Sequence, residues 1–125
     1  MASISDYVLD AALSKLDTEA NAIHITSQEA TSYAEATSTY TLGSATTISI
    51  LAPQNRTASG GGREVVLENV TGGNVSADGD ASHFAIIDSS NSRLLATGAL
   101  ATAQTVTTGN TFTLSSITIG IPDPT

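Results

Sequence analysis

The sequence predicts a mainly β protein: a β-sandwich, Ig-like or jelly-roll in style, of about seven to eight short antiparallel strands behind one N-terminal helix. Three observations predict it. After Ala20-Asn21 the apolar residues change to a period of two, the signature of half-buried strands. Clusters of Gly, Asn, Asp and Ser interrupt that pattern at short intervals. No helix separates consecutive strands, which disfavours a parallel α/β sheet. The 125 residues suit one domain with one core, organised as a helical segment over residues 1–20 and a β-sandwich over 21–125. Apolar residues make up 40% and aromatics 4% with no Trp, so Val, Ile and Leu must fill that core.

The helix is expected from Ile4 to about Glu19. Ser3 serves as N-cap and Asp6 lies in the first turn, where the helix dipole favours an acid. Val8, Leu9, Ala12, Leu13 and Leu16 recur at helical spacing, and their stripe must be buried on the chain's own sheet or on another subunit. Ile23–Thr26 reads as a short strand. Ser27–Gly43 reads as an irregular connection with one helical turn, and Ala45–Leu51 as a strand stopped by Pro53. Gln54–Gly62 is expected to be a flexible tip ending in three glycines. Arg63–Val70 is a strand, Thr71-Gly72-Gly73-Asn74 a tight turn, and Asn74–Ala77 a short strand before a second turn at Asp78-Gly79-Asp80. Ser82–Asp88 is the strongest inner strand and forms a hairpin with Arg93–Thr97, which Gly98 ends. Ala103–Thr107 and Thr111–Ile121 pair across Thr108-Gly109-Asn110. In that last strand Phe112 and Leu114 are out of phase with Ile117, Ile119 and Ile121. A β-bulge at Ser115-Ser116 is the favoured solution. The alternative leaves the isoleucines as an apolar patch at a subunit or capsid interface.

The catalytic inventory is sparse, which points away from an enzyme. His24 and His83 read as structural, because no nucleophile elbow accompanies the serines. Asp78-Gly79-Asp80 is first a turn former, and the alternating acidic pattern of a calcium loop is missing. Gly60-Gly61-Gly62-Arg63 leads into a strand and lacks Gly-Lys-Ser/Thr, so it is no phosphate loop. The absence of cysteine removes disulfides and thiolate chemistry. No cofactor and no metal are expected. Three matches to the glycosylation pattern, at Asn55, Asn69 and Asn74, are chance products of a Ser- and Thr-rich chain.

The net charge of −8, with Lys15, Arg56, Arg63 and Arg93 the only cations besides the terminus, disfavours nucleic acid and anionic membrane as partners. Neither a signal peptide nor a membrane span is read, so the chain is expected to be soluble and made in a cytoplasm. Binding is expected to use the helix stripe (Val8, Leu9, Leu13, Leu16). The tip (Gly60, Gly61, Gly62) is expected to order on a partner whose carboxylates Arg56 and Arg63 would pair.

Three groups of segments carry a resemblance. One is Tyr7–Leu13 leading to Ile23–Glu29; another is Thr31–Thr37 with Leu42-Gly43. The third joins Ala81–Asp88, Leu94–Leu100 and the closing Ile119-Gly120-Ile121-Pro122. Together they resemble small virion proteins of tailed bacteriophages. The resemblance implies a capsid decoration (cement) protein that binds the major capsid protein on the outer surface of the head, as a homo-oligomer, commonly a trimer. It carries no catalytic motif and transfers no functional residue. A neck, tail or fibre component is the alternative within the particle. A carbohydrate-binding module is the alternative from another class, poorly served by three tyrosines and no Trp.

Overall fold

A computed structural model describes residues 4–124. Helix α1 (Asp6–Glu19) precedes nine strands: β1 (Ala22–Thr26), β2 (Thr41–Ala45), β3 (Gln54–Asn55), β4 (Arg63–Leu67), β5 (Val70–Val75), β6 (Gly79–Asp88), β7 (Arg93–Val106), β8 (Thr111–Leu114) and β9 (Ile117–Ile121). The strands form two antiparallel sheets, ordered β7-β6-β1-β2-β5-β8 and β3-β4-β9. The mainly β class with one N-terminal helix is therefore the one expected. One compact unit holds α1, Ser49–Asn69 and the chain from Ser115; the other holds Ala20–Ile48 and Val70–Leu114. The helix is thus a constituent of the smaller unit, together with β3, β4 and β9.

In the larger unit β1 is central, paired with β6 through Ile23↔Ile86 and Ile25↔Phe84 and with β2 through Ile23↔Ala45. Ile23, Ile25 and Ile86 are at most 1% exposed, as expected of β-branched residues mid-sheet. The opposite face buries Ala22, Ala85 and Ile87 against Ala30 and Ala36, with Tyr33, Tyr40 and Leu94 packed around them. Alanine on both sides lets the connection between β1 and β2 lie close to the sheet. Its helical turn is one of π type, Glu35–Thr39, in which the Tyr40 N–H donates to the Glu35 carbonyl at 2.8 Å. β7 and β8 are the two edges, yet residues 107–110 alone join them. Five steps of extended chain from Val106 to Thr111 reach at most about 18 Å, whereas the outer strands of a flat six-stranded sheet stand about 24 Å apart. The sheet must curl toward its own edge, and it does.

Several expected boundaries fail here for one reason. Both phenylalanines of the chain lie over a glycine on the neighbouring strand: Phe84 is paired with Gly98, and Phe112 with Gly73. A Cβ on either glycine would run into the ring. Gly98 therefore continues β7 rather than ending it. Gly72-Gly73 lies inside β5, where Gly72 adopts φ +72° at an irregularity in the pairing, rather than forming a hairpin turn. The strand expected at Ala45–Leu51 sits earlier, at Thr41–Ala45, because Gly43 lies against the Asn74 carbonyl where only glycine fits. Of the expected strand only an isolated bridge, Ile50↔Leu67, remains beyond Ala45. Val106 and Thr111 belong to opposite edges, so the expected pairing across Thr108–Asn110 is absent.

The out-of-phase strand resolves in a third way. There is no bulge at Ser115-Ser116: β8 ends at Leu114 in the large sheet and β9 begins at Ile117 in the small one. Phe112 and Leu114 are buried in one unit, while Ile117, Ile119 and Ile121 line a strand of the other.

Replacing Gly98 by Ala places a Cβ 2.7 Å from the Phe84 ring. It should cost about 1–3 kcal/mol of stability, the usual penalty for overpacking, measured by urea unfolding. An unchanged midpoint would show that the ring can move aside freely.

Candidate functional site

The smaller unit is built around two consecutive residues of β4. Arg63 and Glu64 point to opposite faces of the strand, and each secures a different element. Arg63 Nε donates to Asp10 Oδ1 at 2.8 Å and Nη2 to Asp10 Oδ2 at 3.2 Å, a two-pronged clamp on α1. The same guanidinium donates to Asn55 Oδ1 at 2.7 Å and to the Pro53 carbonyl at 3.3 Å. Glu64 is 3% exposed; its carboxylate accepts from Gln54 Nε2 at 2.9 Å and from the Thr57 N–H at 3.1 Å. Those bonds, the Gln54 amide first, hold the Glu64 pKa below the usual range, against the opposing effect of burial.

The segment between β3 and β4 is organised by its own residues. Arg56 Nη1 donates to the carbonyls of Ser59 at 2.7 Å and Gly61 at 3.2 Å, and the Arg56 N–H to the Gly62 carbonyl at 3.0 Å. Gly60, Gly61 and Gly62 all take positive φ, at +101°, +70° and +98°, and a Cβ on Gly62 would strike the Ile121 carbonyl. The glycines are thus required by the path of the chain. Arg56 and Arg63, expected to reach a partner's carboxylates, spend these bonds inside the unit.

Helix α1 carries two apolar faces. Ser3, the expected N-cap, lies outside the described residues; the first intrahelical bonds run to the Ser5 carbonyl, from Val8 N and Leu9 N. Leu9 and Leu13 are 3% and 2% exposed and belong to the core, with Leu16 half-buried on the same side. Leu9 and Leu13 are therefore internal packing, which corrects the expectation that these two meet a partner. Val8 points the other way and is 54% exposed, with Tyr7 at 85% and Ile4 at 41%. Ala11 and Ala12 are exposed as well. Positions 7, 8, 11 and 12 follow helical spacing and make one outer stripe, and Ile4, in the chain just ahead of the helix, is exposed as well. Next along that face Lys15 and Glu19 pair at 3.4 Å. Asp10 is turned toward Arg63, so the stripe itself bears no charge. Helical spacing alone places Val8 and Ala12 in the buried stripe, and the structure turns both outward.

The polar groups of the larger unit serve its turns. Asp78 accepts from the Thr108 N–H at 2.7 Å and hydroxyl at 2.9 Å, and Asp80 from the Thr105 hydroxyl at 2.8 Å. Asp88 is 2% exposed and accepts from Asn91 Nδ2 at 2.7 Å and the Ser90 N–H at 3.0 Å, closing the β6–β7 turn. Ser82 Oγ donates to the Ser27 carbonyl at 3.0 Å and so accepts, at 2.8 Å, from His83 Nδ1–H. That is the reverse of nucleophile activation, in which the imidazole takes the hydroxyl proton. His24 likewise bonds Thr41 Oγ1 at 2.7 Å, and burial pushes its pKa down. Thr26 Oγ1 is buried without a partner among the described residues. Among the described residues no three His, Asp or Glu side chains gather as a metal site, and no helix is long and apolar enough to cross a membrane. A depression lined by Gln104, Thr105, Asn110, Thr111 and Phe112 offers hydroxyls and amides, but its ring is only 4% exposed.

Compared with protein-family models, with curated proteins and with solved structures, the chain matches none.

Glu64, Asp78, Asp88 and Glu35 all have pKa values held below the ordinary carboxylate range by hydrogen bonds to the charged form. A depressed folded pKa contributes stability that is complete above the unfolded value, about 4, and lost as pH falls through the folded one. Stability should therefore fall steeply below about pH 4. Glu64→Gln should be less stable at pH 7, because an NH2 replaces an acceptor, and its pH profile should be flatter in acid. Parallel profiles for the two proteins would contradict the role given to Glu64.

Proposed function

We propose that the chain is a virion structural protein of a tailed bacteriophage, a decoration protein that attaches to the outer surface of the assembled head through the outer stripe of α1. The observation that carries this reading is that stripe: Tyr7, Val8, Ala11 and Ala12 present an apolar helical face, ended by Lys15, on an otherwise acidic protein. Single exposed apolar residues need no explanation; a contiguous helical face of them indicates a covering partner. The net charge of −8 favours the outside of a shell over its DNA-filled interior. The resemblance to small phage virion proteins supplies the partner, the major capsid protein.

The mechanism is linkage. A protein that binds the assembled lattice and not free subunits stabilises the lattice by its own binding free energy. A second copy joined to the first multiplies that effect by effective concentration, provided both can reach the lattice together. Rigid presentation of the stripe matters because ordering a loose helix on binding would consume part of the interaction energy. The Arg63–Asp10 clamp supplies that rigidity. A sugar-binding role has less support: Tyr33 and Tyr40 pack against the alanine cluster, leaving Tyr7 as the one largely exposed tyrosine among the described residues.

Replacing Tyr7 and Val8 together by Ser leaves Leu9 and Leu13 in place, so the circular-dichroism spectrum and melting midpoint should not change. Binding to undecorated heads should weaken at least about tenfold, since each buried side chain contributes roughly 1.5–3 kcal/mol. Undiminished binding by this folded variant would refute attachment through α1.

A further inference from the structure

We infer that β9 is a self-association site, at which two copies of this chain join edge to edge and antiparallel about a twofold axis at Ile119. The inference goes beyond shell binding and does not rest on it.

Natural sheets blunt their edges with short strands, bulges, proline or charge. Three of the four edges here are treated in that way. β3 has two residues. β7 pairs Ala81↔Gln104 and His83↔Ala99, so residues 100–103 leave the ladder, and a second shift follows at Ile86/Ile87. β8 has four residues, and its pairing is broken between Val70 and Gly73. β9 has none of these defences. Its five residues, Ile117-Thr118-Ile119-Gly120-Ile121, follow an unbroken register on β4 with no charge, proline or bulge, and among the described residues β4 is its only strand neighbour.

The strand is also self-complementary. Antiparallel pairing about Ile119 sets Ile117 opposite Ile121 of the second copy, Thr118 opposite Gly120, and Ile119 opposite itself. All three isoleucines then meet isoleucine on one face, the type of contact that favours β pairs. Such an isologous contact closes as a dimer. The apolar layer is incomplete without it. Val65 and Leu67, paired with Ile119 and Ile117, are fully buried, while all three isoleucines of β9 keep part of their surface exposed. An acidic chain resists self-association in general, but this strand contributes no charge to that repulsion. The charged residues against it are already engaged, Arg63 by Asp10, Glu64 by Gln54, and Arg56, which lies over Gly120, by the carbonyls of Ser59 and Gly61.

Light scattering on the full chain should give the mass of two chains. Thr118→Lys, at an exposed position, should reduce it to one chain with an unchanged circular-dichroism spectrum and a melting midpoint that no longer depends on protein concentration. The chain has no cysteine, so single introductions report register. Under oxidation Ile119→Cys should form a covalent dimer, Ile117→Cys should not, and the double variant Ile117→Cys/Ile121→Cys should again. A monomeric parent protein, a trimer indifferent to Thr118→Lys, or equal cross-linking of Ile117→Cys and Ile119→Cys would each overturn the assignment.

Discussion

The Arg63 guanidinium is where the smaller unit is held together. Three strands of two, five and five residues are too little sheet to stand alone, and a 14-residue helix is marginal without packing. Arg63 joins these parts with one planar group, through Asp10 of α1, Asn55 of β3 and the Pro53 carbonyl ahead of β3. Arginine suits the position because its fork of donors can serve several acceptors at fixed angles, which a lysine cannot do. The clamp also decides orientation. With Asp10 held by β4, Leu9 and Leu13 are buried, and Tyr7, Val8, Ala11 and Ala12 are turned outward. Glu64, the next residue, does the corresponding work on the other face of β4 by anchoring Gln54 and Thr57.

The larger unit solves a different problem. Two phenylalanines and no tryptophan give a six-stranded sheet little bulk with which to fill a core. Each phenylalanine is laid across a paired glycine, so its ring covers the neighbouring strand as well as its own. On the opposite face, alanines from the sheet and from the β1–β2 connection meet at short range. Small residues reduce the volume to be filled instead of filling it. The carboxylates of Asp78, Asp80 and Asp88 fasten the turns, which is a structural use of acids that sequence inspection readily mistakes for ligand chemistry.

The strand-rich class, the single helix, the strong inner strand Ser82–Asp88 and its hairpin were all legible from period and turn residues. What misled was glycine. Gly98 and Gly72-Gly73 carry the same letters as turn formers, and only the partner strand shows that they make room for Phe84 and Phe112. The switch of sheet at Ser115-Ser116 was visible as a phase conflict between Phe112-Leu114 and the isoleucines, although its resolution was not. The candidate surface was half legible. The 3.6 period placed a helix over Asp6–Glu19, but 14 residues with apolar positions on two faces do not say which face turns inward. That was decided by Asp10, through an ion pair with a residue 53 positions away.

The proposed attachment of the outer stripe of α1 to a phage head is one on which Tyr7 reports directly. The chain has three tyrosines. Tyr7 is 85% exposed, whereas Tyr33 and Tyr40 pack against the alanine cluster and serve as internal references. Oxidative footprinting should compare the free protein with fully decorated heads. The account predicts that Tyr7 is labelled rapidly when free and strongly protected on the head, with Tyr33 and Tyr40 unchanged. Labelling of Tyr7 at the free rate on decorated heads would contradict it.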